Sequence, residues 1–194
     1  MKVTVLIIDD HPPIIEGYKS ILSYNPYGYN LEIQTAFSCE SAYQLISTTE
    51  TPFDVVMIDY TMPPFPERNI HCGADLVPII RQYLPETKIM MLTSHSESLL
   101  LLKVLKEGNP EGLLVKSDIL ADDFLVAFDA IVRGENFYSS TVISLKKELK
   151  ESDKVLDSYN RQIIMLLSQG IQTKNLPDYL NLSKSAIDKR KVII

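Results

Sequence analysis

The stretch VTVLII, residues 3–8, is followed at once by two aspartates, and it decides how the first part of this sequence folds. A continuous run of aliphatic and β-branched residues is typical of a strand that is buried on both faces. Similar runs occur at VVMI before Asp59, at KIMMLT over residues 88–93 and at GLLV before Lys116. We therefore predict buried strands at all four places, each ending at polar residues.

Amphipathic helical patterns separate these runs, and residues 31–36 alternate well enough for one more strand. The predicted helices cover residues 14–22, 38–47, 74–83, 97–107 and 121–133. Pro78 favours a later start for the third helix, because proline is tolerated only in the first turn. Strict alternation of strands and helices predicts an α/β fold, a flavodoxin-like, doubly wound, five-stranded parallel sheet over residues 1–134.

The remainder of the chain has a different pattern, without alternating strands. Residues 135–152 are polar and then amphipathic, which favours a linker that can become helical. Residues 153–194 are predicted as a small all-α domain with helices over about 157–168, 173–179 and 183–194. Gly170 separates the first two helices, and Ser183 is the predicted N-cap of the last one.

Charge is unevenly distributed along the chain, whose net charge is −6. Residues 1–150 contain 12 basic and 20 acidic residues, whereas residues 151–194 contain 7 and 5. The acidic part argues against nucleic-acid binding over the whole surface, and the tail is only weakly basic. The first residues are too short an apolar run for a signal peptide, and no stretch approaches a membrane span. We expect a cytoplasmic protein without a membrane partner.

Carboxylates, a hydroxyl and an amine follow the predicted strands: Asp9 and Asp10, Asp59, Thr93 and Lys116. The carboxyl ends of parallel strands share one edge of a sheet, so these groups are expected to meet there. Clustered carboxylates suit Mg²⁺, and an aspartate can act as a nucleophile that forms an acyl phosphate. Lysine and threonine can then stabilise the phosphoryl group, so the pattern predicts a phosphoryl-accepting site.

The segments VLIIDDHPPIIEG, FDVVMIDYTMP, KIMMLTSHSE and GLLVKSD resemble the receiver domain of two-component response regulators, in order and spacing, over residues 3–134. The resemblance implies that Asp59 is the phosphoacceptor and that a sensor histidine kinase is the donor. It also implies that Asp10 and Asp59 ligate Mg²⁺, with Asp9 acting through water and the backbone carbonyl of Thr61 as a further ligand. Thr93 and Lys116 would contact the phosphoryl group.

Three features depart from the family's pattern. The loop from Pro63 to Gly73 is six residues longer than usual. Leu113 stands where the family usually has an aromatic residue whose rotamer is coupled to the threonine, so we do not expect that coupling to be the switching device. Ser117 follows the lysine in place of a common proline. Three histidines, His11, His71 and His95, lie in loops near the predicted site, and we expect them to face solvent because Asp59 already supplies the nucleophile.

Residues 156–194 resemble the helix-turn-helix of NarL/FixJ–LuxR regulators, whose second helix enters the major groove. The candidate DNA contacts are Lys184, Ser185, Asp188, Lys189 and Lys191. Asp188 replaces a frequent lysine, and phosphates repel a carboxylate. The family's effector domain continues into one more helix that commonly dimerises, whereas this chain ends at Ile194 and is expected to lack it. Either the sequence is truncated, or a homodimer forms by another arrangement.

Three functions are consistent with these sequence features. The first is a phosphorylation-switched regulator of DNA binding and transcription. The second is a receiver in a phosphorelay, or one that acts through protein–protein contacts with a tail that does not bind DNA. The third is a dehalogenase-like phosphohydrolase, which needs a second aspartate two residues after the nucleophile, where this chain has Thr61. We therefore expect a phosphoacceptor with self-catalysed phosphorylation and dephosphorylation, not a turnover enzyme.

Overall fold

The computed structural model describes residues 1–155 and 158–191, and its first part is built around one parallel sheet. Within these residues the sheet has six strands in the order β2-β1-β3-β4-β5-β6, all paired in parallel. The strands are β1 Lys2–Ile8, β2 Asn30–Ala36, β3 Val55–Asp59, β4 Lys88–Thr93, β5 Gly112–Val115 and β6 Phe137–Tyr138. The first five match the predicted strands to within one residue, which confirms the α/β class and the order typical of flavodoxin-like folds.

The prediction of a five-stranded sheet is wrong, because β6 joins the edge beside β5. Phe137 pairs with Gly112 and Tyr138 pairs with Leu113. The backbone N–H of Ser139 then donates to the carbonyl of Leu113 at 3.2 Å. A strand of two residues is too short to show alternation, so the polar segment that contains it gave no strand signal.

Helices cover both faces of the sheet. They are α1 Pro12–Ser23, α2 Cys39–Thr48, α3 Val77–Tyr83, α4 Ser98–Lys103 and α5 Ala121–Val132. On one face, α1 and α5 pack over a core that includes Ile7, Met57, Leu92 and Phe124. Successive strand residues point to opposite faces. The equally buried residues between them, such as Ile58, therefore face the side left to α2, α3 and α4.

Two predicted helices differ in form from a regular α-helix. The helix expected over residues 74–83 begins with a 3₁₀ turn, Gly73–Leu76, and α3 itself starts at Val77. Pro78 lies in the first turn of α3, where its missing N–H costs no hydrogen bond. The helix expected over residues 97–107 is α4 followed by a wider π-type turn, Val104–Gly108.

Contacts divide the chain into two compact units, residues 1–143 and 144–194. The remaining helices are α6 Ser140–Val155, α7 Ser158–Ser168, α8 Leu176–Tyr179 and α9 Lys184–Lys191. In the described part of the second unit, the buried apolar cluster is formed by Ile163, Leu176, Leu180 and Ile187. Ser183 caps α9, since its Oγ accepts the N–H of Ala186 at 3.2 Å.

The predicted helix ends at residues 157 and 194 lie outside the described residues. Among the helices of the described ranges, none combines the length and the apolar character that crossing a membrane requires.

Candidate functional site

The polar residues predicted at the strand ends come together at one edge of the sheet. Asp9 directly follows β1, Asp59 ends β3, Thr93 ends β4 and Lys116 follows β5. The strand order reverses between β1 and β3, and ligand sites of open parallel sheets form at the carboxyl ends of strands at such a point. Asp59 lies opposite Leu92, which places Thr93 one residue beyond it on the neighbouring strand.

Lys116 joins two buried acids of this edge. Its Nζ lies 2.9 Å from Asp59 Oδ1 and donates a hydrogen bond to Asp9 Oδ2 at 3.2 Å. Asp9 is 1% exposed and Asp59 is 5% exposed, and carboxylates buried this far require a positive partner. Burial opposes the charge on Lys116, but the hydrogen bond to Asp59 and the nearby negative groups raise its pKa above the usual range. The amine therefore stays charged.

Asp59 has both carboxylate oxygens engaged. Its Oδ2 accepts the backbone N–H of Thr61 at 3.1 Å, opposite the contact that Oδ1 makes with Lys116. Burial raises the pKa of Asp59 and the charge of Asp9 raises it further, although Lys116 and the Thr61 N–H act in the lowering direction. Burial is thus the main reason that the ionised form of Asp59 is disfavoured, and a cation bound nearby would favour that form.

Asp9, Asp10 and His11 form a compact group whose possible metal-binding atoms all lie within 4.8 Å of one another. In the part of the chain that the structure describes, Asp10 Oδ1 is a buried oxygen without a hydrogen-bond partner. His11 Nδ1 approaches it to 2.9 Å without the geometry of a hydrogen bond. Two carboxylates with an orphaned oxygen fit a hard divalent cation such as Mg²⁺. The predicted ligand Asp59 is not a member of this group.

Thr93 and His95 shape the other side of the site. Thr93 is buried, and its Oγ1 accepts the backbone N–H of His95 at 3.0 Å, which leaves the hydroxyl proton available to donate. The His95 ring lies edge-on to Tyr60 at 5.7 Å, and its Nε2 is 3.4 Å from Thr61 Oγ1. This histidine is partly exposed, as expected, but it also contacts two residues that directly follow Asp59.

Tyr18 is a neighbour of Lys116 that sequence reasoning missed. It lies on α1 and stacks on Phe124 of α5, with ring centroids 5.1 Å apart and planes inclined by 5°. Tyr18 and Lys116 line the same groove. In the sequence, Tyr18 falls on the apolar face of the helix predicted over residues 14–22. That spacing cannot distinguish a core ring from a ring whose polar tip enters a site.

The lengthened loop after β3 has a defined structure against α2. Phe65 and Ile70 pair in an antiparallel bridge, and Asn69 takes a left-handed conformation with φ of 57°. Ile70 is buried, and the guanidinium of Arg68 lies 5.0 Å from the ring centre of Tyr43. The extra residues therefore add to the surface of the first unit beside α2, and His71 lies among them.

The five candidate DNA-contacting residues all lie on α9 and are exposed: Lys184, Ser185, Asp188, Lys189 and Lys191. Ile187, between them, is buried in the core of the second unit. Lys191 is engaged within the chain, since its Nζ donates to Thr173 Oγ1 at 3.1 Å. Arg190, which the sequence did not single out, donates to Asn160 Oδ1 at 2.9 Å and so ties α9 to α7.

Known proteins resemble the chain over most of its length. The transcriptional regulatory protein MctR of Rhizobium johnstonii is 23% identical over 98% of this chain and 84% of its own length. A crystal structure of a LuxR-family two-component response regulator from Aurantimonas sp. covers 77% of this chain and 99% of its own, at 27% identity and a TM-score of 0.64. A second similar structure is RcsB from Salmonella enterica serovar Typhimurium, bound to promoter P1flhDC in the presence of phosphomimetic BeF₃⁻. The match covers 97% of this chain and 88% of the RcsB chain, at 23% identity and a TM-score of 0.64.

A family comparison covers the part of the chain that contains the site. The profile of the response regulator receiver domain matches residues 5–119, which is more than half of the chain. That range includes every strand end at which Asp9, Asp59, Thr93 and Lys116 lie. The chain therefore belongs to the response regulator receiver domain family.

Proposed function

We propose that this protein is a phosphorylation-switched regulator of a two-component system, which accepts a phosphoryl group on Asp59 from a sensor histidine kinase and controls transcription in the cytoplasm. The observation that carries the proposal is the contact of Lys116 with both buried acids at the carboxyl edge of the sheet. A carboxylate nucleophile beside a fixed cation and a buried hydroxyl has the groups that phosphoryl transfer requires.

The chemistry assigned to Asp59 is a single displacement at phosphorus. A carboxylate oxygen of Asp59 forms a new P–O bond as the P–N bond of the kinase phosphohistidine breaks. The imidazole leaves with the electron pair and takes up a proton. Lys116, charged throughout, turns its ammonium from the carboxylate to the phosphoryl oxygens, where negative charge is spread in the transition state. The Thr93 hydroxyl donates to another of these oxygens.

Mg²⁺ belongs to the proposal because the acids present fit it. Asp10 and Asp59 would hold the ion, with Asp9 acting through water and the carbonyl of Thr61 as a further ligand. When bound, the ion neutralises charge on the carboxylates and the phosphoryl group. Asp10 Oδ1 supports this assignment, since a buried oxygen that accepts no hydrogen bond gains from a nearby cation.

DNA binding by α9 is the proposed output. In a helix-turn-helix, the second helix places its N-terminal half on base edges, and Lys184 and Ser185 lie exposed at that end of α9. RcsB, which shares the fold over most of this chain, has been observed on promoter DNA with a phosphomimetic present. A homodimer is part of the proposal, because paired modules on half-sites bind more tightly than one. In the family, an aromatic residue at the position of Leu113 usually changes rotamer together with the threonine. Because Leu113 replaces it, we infer that phosphorylation is communicated to α9 by other contacts.

Phosphorylation by a small donor tests the proposal directly. The intact chain is incubated with acetyl phosphate and Mg²⁺, and its mass is measured beside those of Asp59→Asn and Asp122→Asn, an exposed acid of α5. We expect one added phosphoryl group on the wild type and on Asp122→Asn, and none on Asp59→Asn. An equal gain of mass by Asp59→Asn would refute Asp59 as the acceptor.

A receiver that acts through protein contacts is the second candidate. Asp188 favours it, because this exposed carboxylate on α9 would meet DNA phosphates unfavourably. A gel shift of the intact chain, with and without acetyl phosphate, separates the two outputs. Phosphorylation-dependent retardation of DNA supports the transcription regulator. Phosphorylation without any retardation over a range of salt concentrations supports the protein-binding receiver.

A further inference from the structure

The sequence DDHPP, residues 9–13, fixes the backbone of His11 beside the acids of the site. A residue that precedes a proline is restricted to extended conformations, and His11 is extended, with φ of −107° and ψ of 99°. Its backbone N–H donates to Asp9 Oδ1 at 2.9 Å, and its carbonyl accepts the N–H of Ile14 at 2.9 Å. The imidazole therefore starts from a defined point next to the two carboxylates.

The His11 imidazole lies close to both acids that precede it. Its Nδ1 is 2.9 Å from Asp10 Oδ1 and 3.4 Å from Asp9 Oδ1. Asp10 Oδ1 is buried and accepts no hydrogen bond, so the approach of Nδ1 lacks the geometry of a donor that faces an acceptor. The nitrogen and the oxygen instead lie side by side.

These separations are the ones expected of ligands that share a metal ion. Ligand atoms about 2.1 Å from an ion lie about 3.0 Å apart in octahedral geometry and about 3.4 Å apart in tetrahedral geometry. The two distances from His11 Nδ1 are 2.9 Å and 3.4 Å. One ion can therefore contact the imidazole and both carboxylates with little movement of the side chains.

We propose that Asp9, Asp10 and His11 bind a divalent ion of the Zn²⁺ type through one imidazole nitrogen and two carboxylate oxygens. Imidazole suits Zn²⁺, whereas Mg²⁺ prefers oxygen ligands and keeps several of its waters. Zinc also accepts carboxylate oxygens, and two carboxylates balance its charge. The inference goes beyond the proposed function, because its ligand set includes His11 and does not need Asp59.

The proposed site leaves the contact between Lys116 and Asp9 in place. Lys116 donates to Asp9 Oδ2 at 3.2 Å, whereas the imidazole approaches the other oxygen, Oδ1. The side chain of His11 is 66% exposed, which gives an ion access from solvent. Asp10 is common to this ligand set and to the one proposed for Mg²⁺, so the two ions compete for it.

An imidazolium that merely pairs with two acids would show similar distances, but it predicts the opposite effect when the ring is removed. A charged imidazolium repels an incoming cation, so its loss would strengthen the binding of any metal ion. An imidazole that ligates the ion contributes affinity. Its loss would therefore weaken the binding of Zn²⁺ and leave that of Mg²⁺ nearly unchanged.

Titration calorimetry of the intact chain with Zn²⁺, and separately with Mg²⁺, tests the proposal. We expect His11→Ala to weaken Zn²⁺ binding at least about tenfold, since changes to residues that only support a ligand already cost that much. Mg²⁺ affinity should change less than about twofold. His71→Ala is the matched control, because His71 is another exposed loop histidine of the same unit outside the cluster. Unchanged or tighter Zn²⁺ binding by His11→Ala would overturn the inference, as would a wild type that does not bind Zn²⁺.

The ring nitrogens of the wild type give a second readout, which needs no substitution. In the ¹H–¹⁵N spectrum of the histidine side chains, Zn²⁺ should shift the Nδ1 signal of His11 and leave the signals of His71 in place. A His11 signal that does not move at saturating Zn²⁺ would show that this imidazole is not a ligand.

Asp59→Asn separates this inference from the proposed function. We expect this variant to lose affinity for Mg²⁺ and to bind Zn²⁺ as the wild type does. Equal losses for both ions would show that Asp59 holds either one, which would overturn the ligand set with His11. A wild type that gains no phosphoryl group on Asp59 would instead overturn the proposed function and leave the Zn²⁺ result standing.

Discussion

The two units of this chain form their candidate functional surfaces in opposite ways. In residues 1–143, the site is made of buried groups that contact one another, with Lys116 beside two acids that are no more than 5% exposed. In residues 144–194, the candidate surface of α9 consists of exposed side chains over a small apolar cluster. The first surface depends on positions that folding fixes, whereas the second depends on the sign of exposed charges.

The difference determines which substitutions have large effects in each unit. In the first unit, a change at the site alters the stability and the chemistry together, because the same contacts serve both. In the second unit, a surface change on α9 should alter DNA binding in a graded way. A change in the core beneath α9 should remove the surface as a whole.

The largest effect is expected from Ile187→Ala, which empties part of the small core behind α9. Ile187 is 1% exposed, and deleting a buried isoleucine side chain costs about 4 kcal/mol. Urea unfolding should show this loss in the helical unit, and DNA retardation should disappear while Asp59 is still phosphorylated. Ile164→Ala, on the same unit but 38% exposed, is the control. A loss equal to that of the control would contradict the assignment of Ile187 to the core.

Lys116→Met should have the next largest effect, because it leaves Asp9 and Asp59 buried without their shared cation. Breaking a buried ion pair on one side costs about 3 kcal/mol. Mg²⁺ should restore part of the lost stability, since it supplies the missing positive charge. Urea unfolding with and without Mg²⁺ measures both effects. Lys103→Met, whose amine is exposed on α4, should change neither. A variant as stable as the wild type without Mg²⁺ would argue against the ion pairs.

Gly73→Ala tests how closely the 3₁₀ turn before α3 lies against the end of β3. A β-carbon at Gly73 would overlap the backbone carbonyl oxygen of Asp59, and moving this backbone away would cost free energy. We expect a loss of about 2 kcal/mol and slower phosphorylation. Gly17→Ala is the control, because the space beside it is open and alanine favours helices by about 1 kcal/mol. If both variants gained stability in urea unfolding, the close approach at Gly73 would be wrong.

Much of the first unit could be predicted because its strands are buried on both faces. Val55–Asp59 was predicted to the residue, since a continuous apolar run ending in an acid has few other interpretations. The convergence of Asp9, Asp59 and Lys116 followed from the shared edge of parallel strands. β6 could not be predicted, because two residues have no period and their pairing with β5 is set by tertiary structure.

The side-chain contacts around the site could not be predicted from the sequence, for a related reason. The approach of His95 to Thr61 depends on two loops whose conformations follow no repeat. Tyr18 has the spacing of a core residue, and only the packing of α1 on α5 brings it to the groove that Lys116 also lines. On α9 the candidate residues were predicted to share one helix, but the engagement of Lys191 with Thr173 depends on tertiary packing.

The smallest effect is expected at Asp118, which lies two residues after Lys116 and holds the start of α6. Its carboxylate accepts the N–H of Thr141 at 2.9 Å and the Thr141 hydroxyl at 3.0 Å. Burial opposes ionisation, but these bonds and those from the neighbouring serines keep the pKa of Asp118 below its usual value. Asp118→Ala should therefore lower the free energy of unfolding at pH 7 by about 1 kcal/mol, as the loss of a helix cap does.

The pH dependence of this loss follows from the direction of the shift. A depressed pKa means that the ionised carboxylate stabilises the folded state above the usual aspartate pKa of about 3.9, and that this contribution is lost as the pH falls through the folded value. Urea unfolding of the wild type and Asp118→Ala should thus differ by a constant amount from pH 7 to about pH 5 and converge below about pH 4. A difference that grows on acidification would assign the effect to another group. Loss of the two bonds to Thr141 should also raise amide exchange at the start of α6.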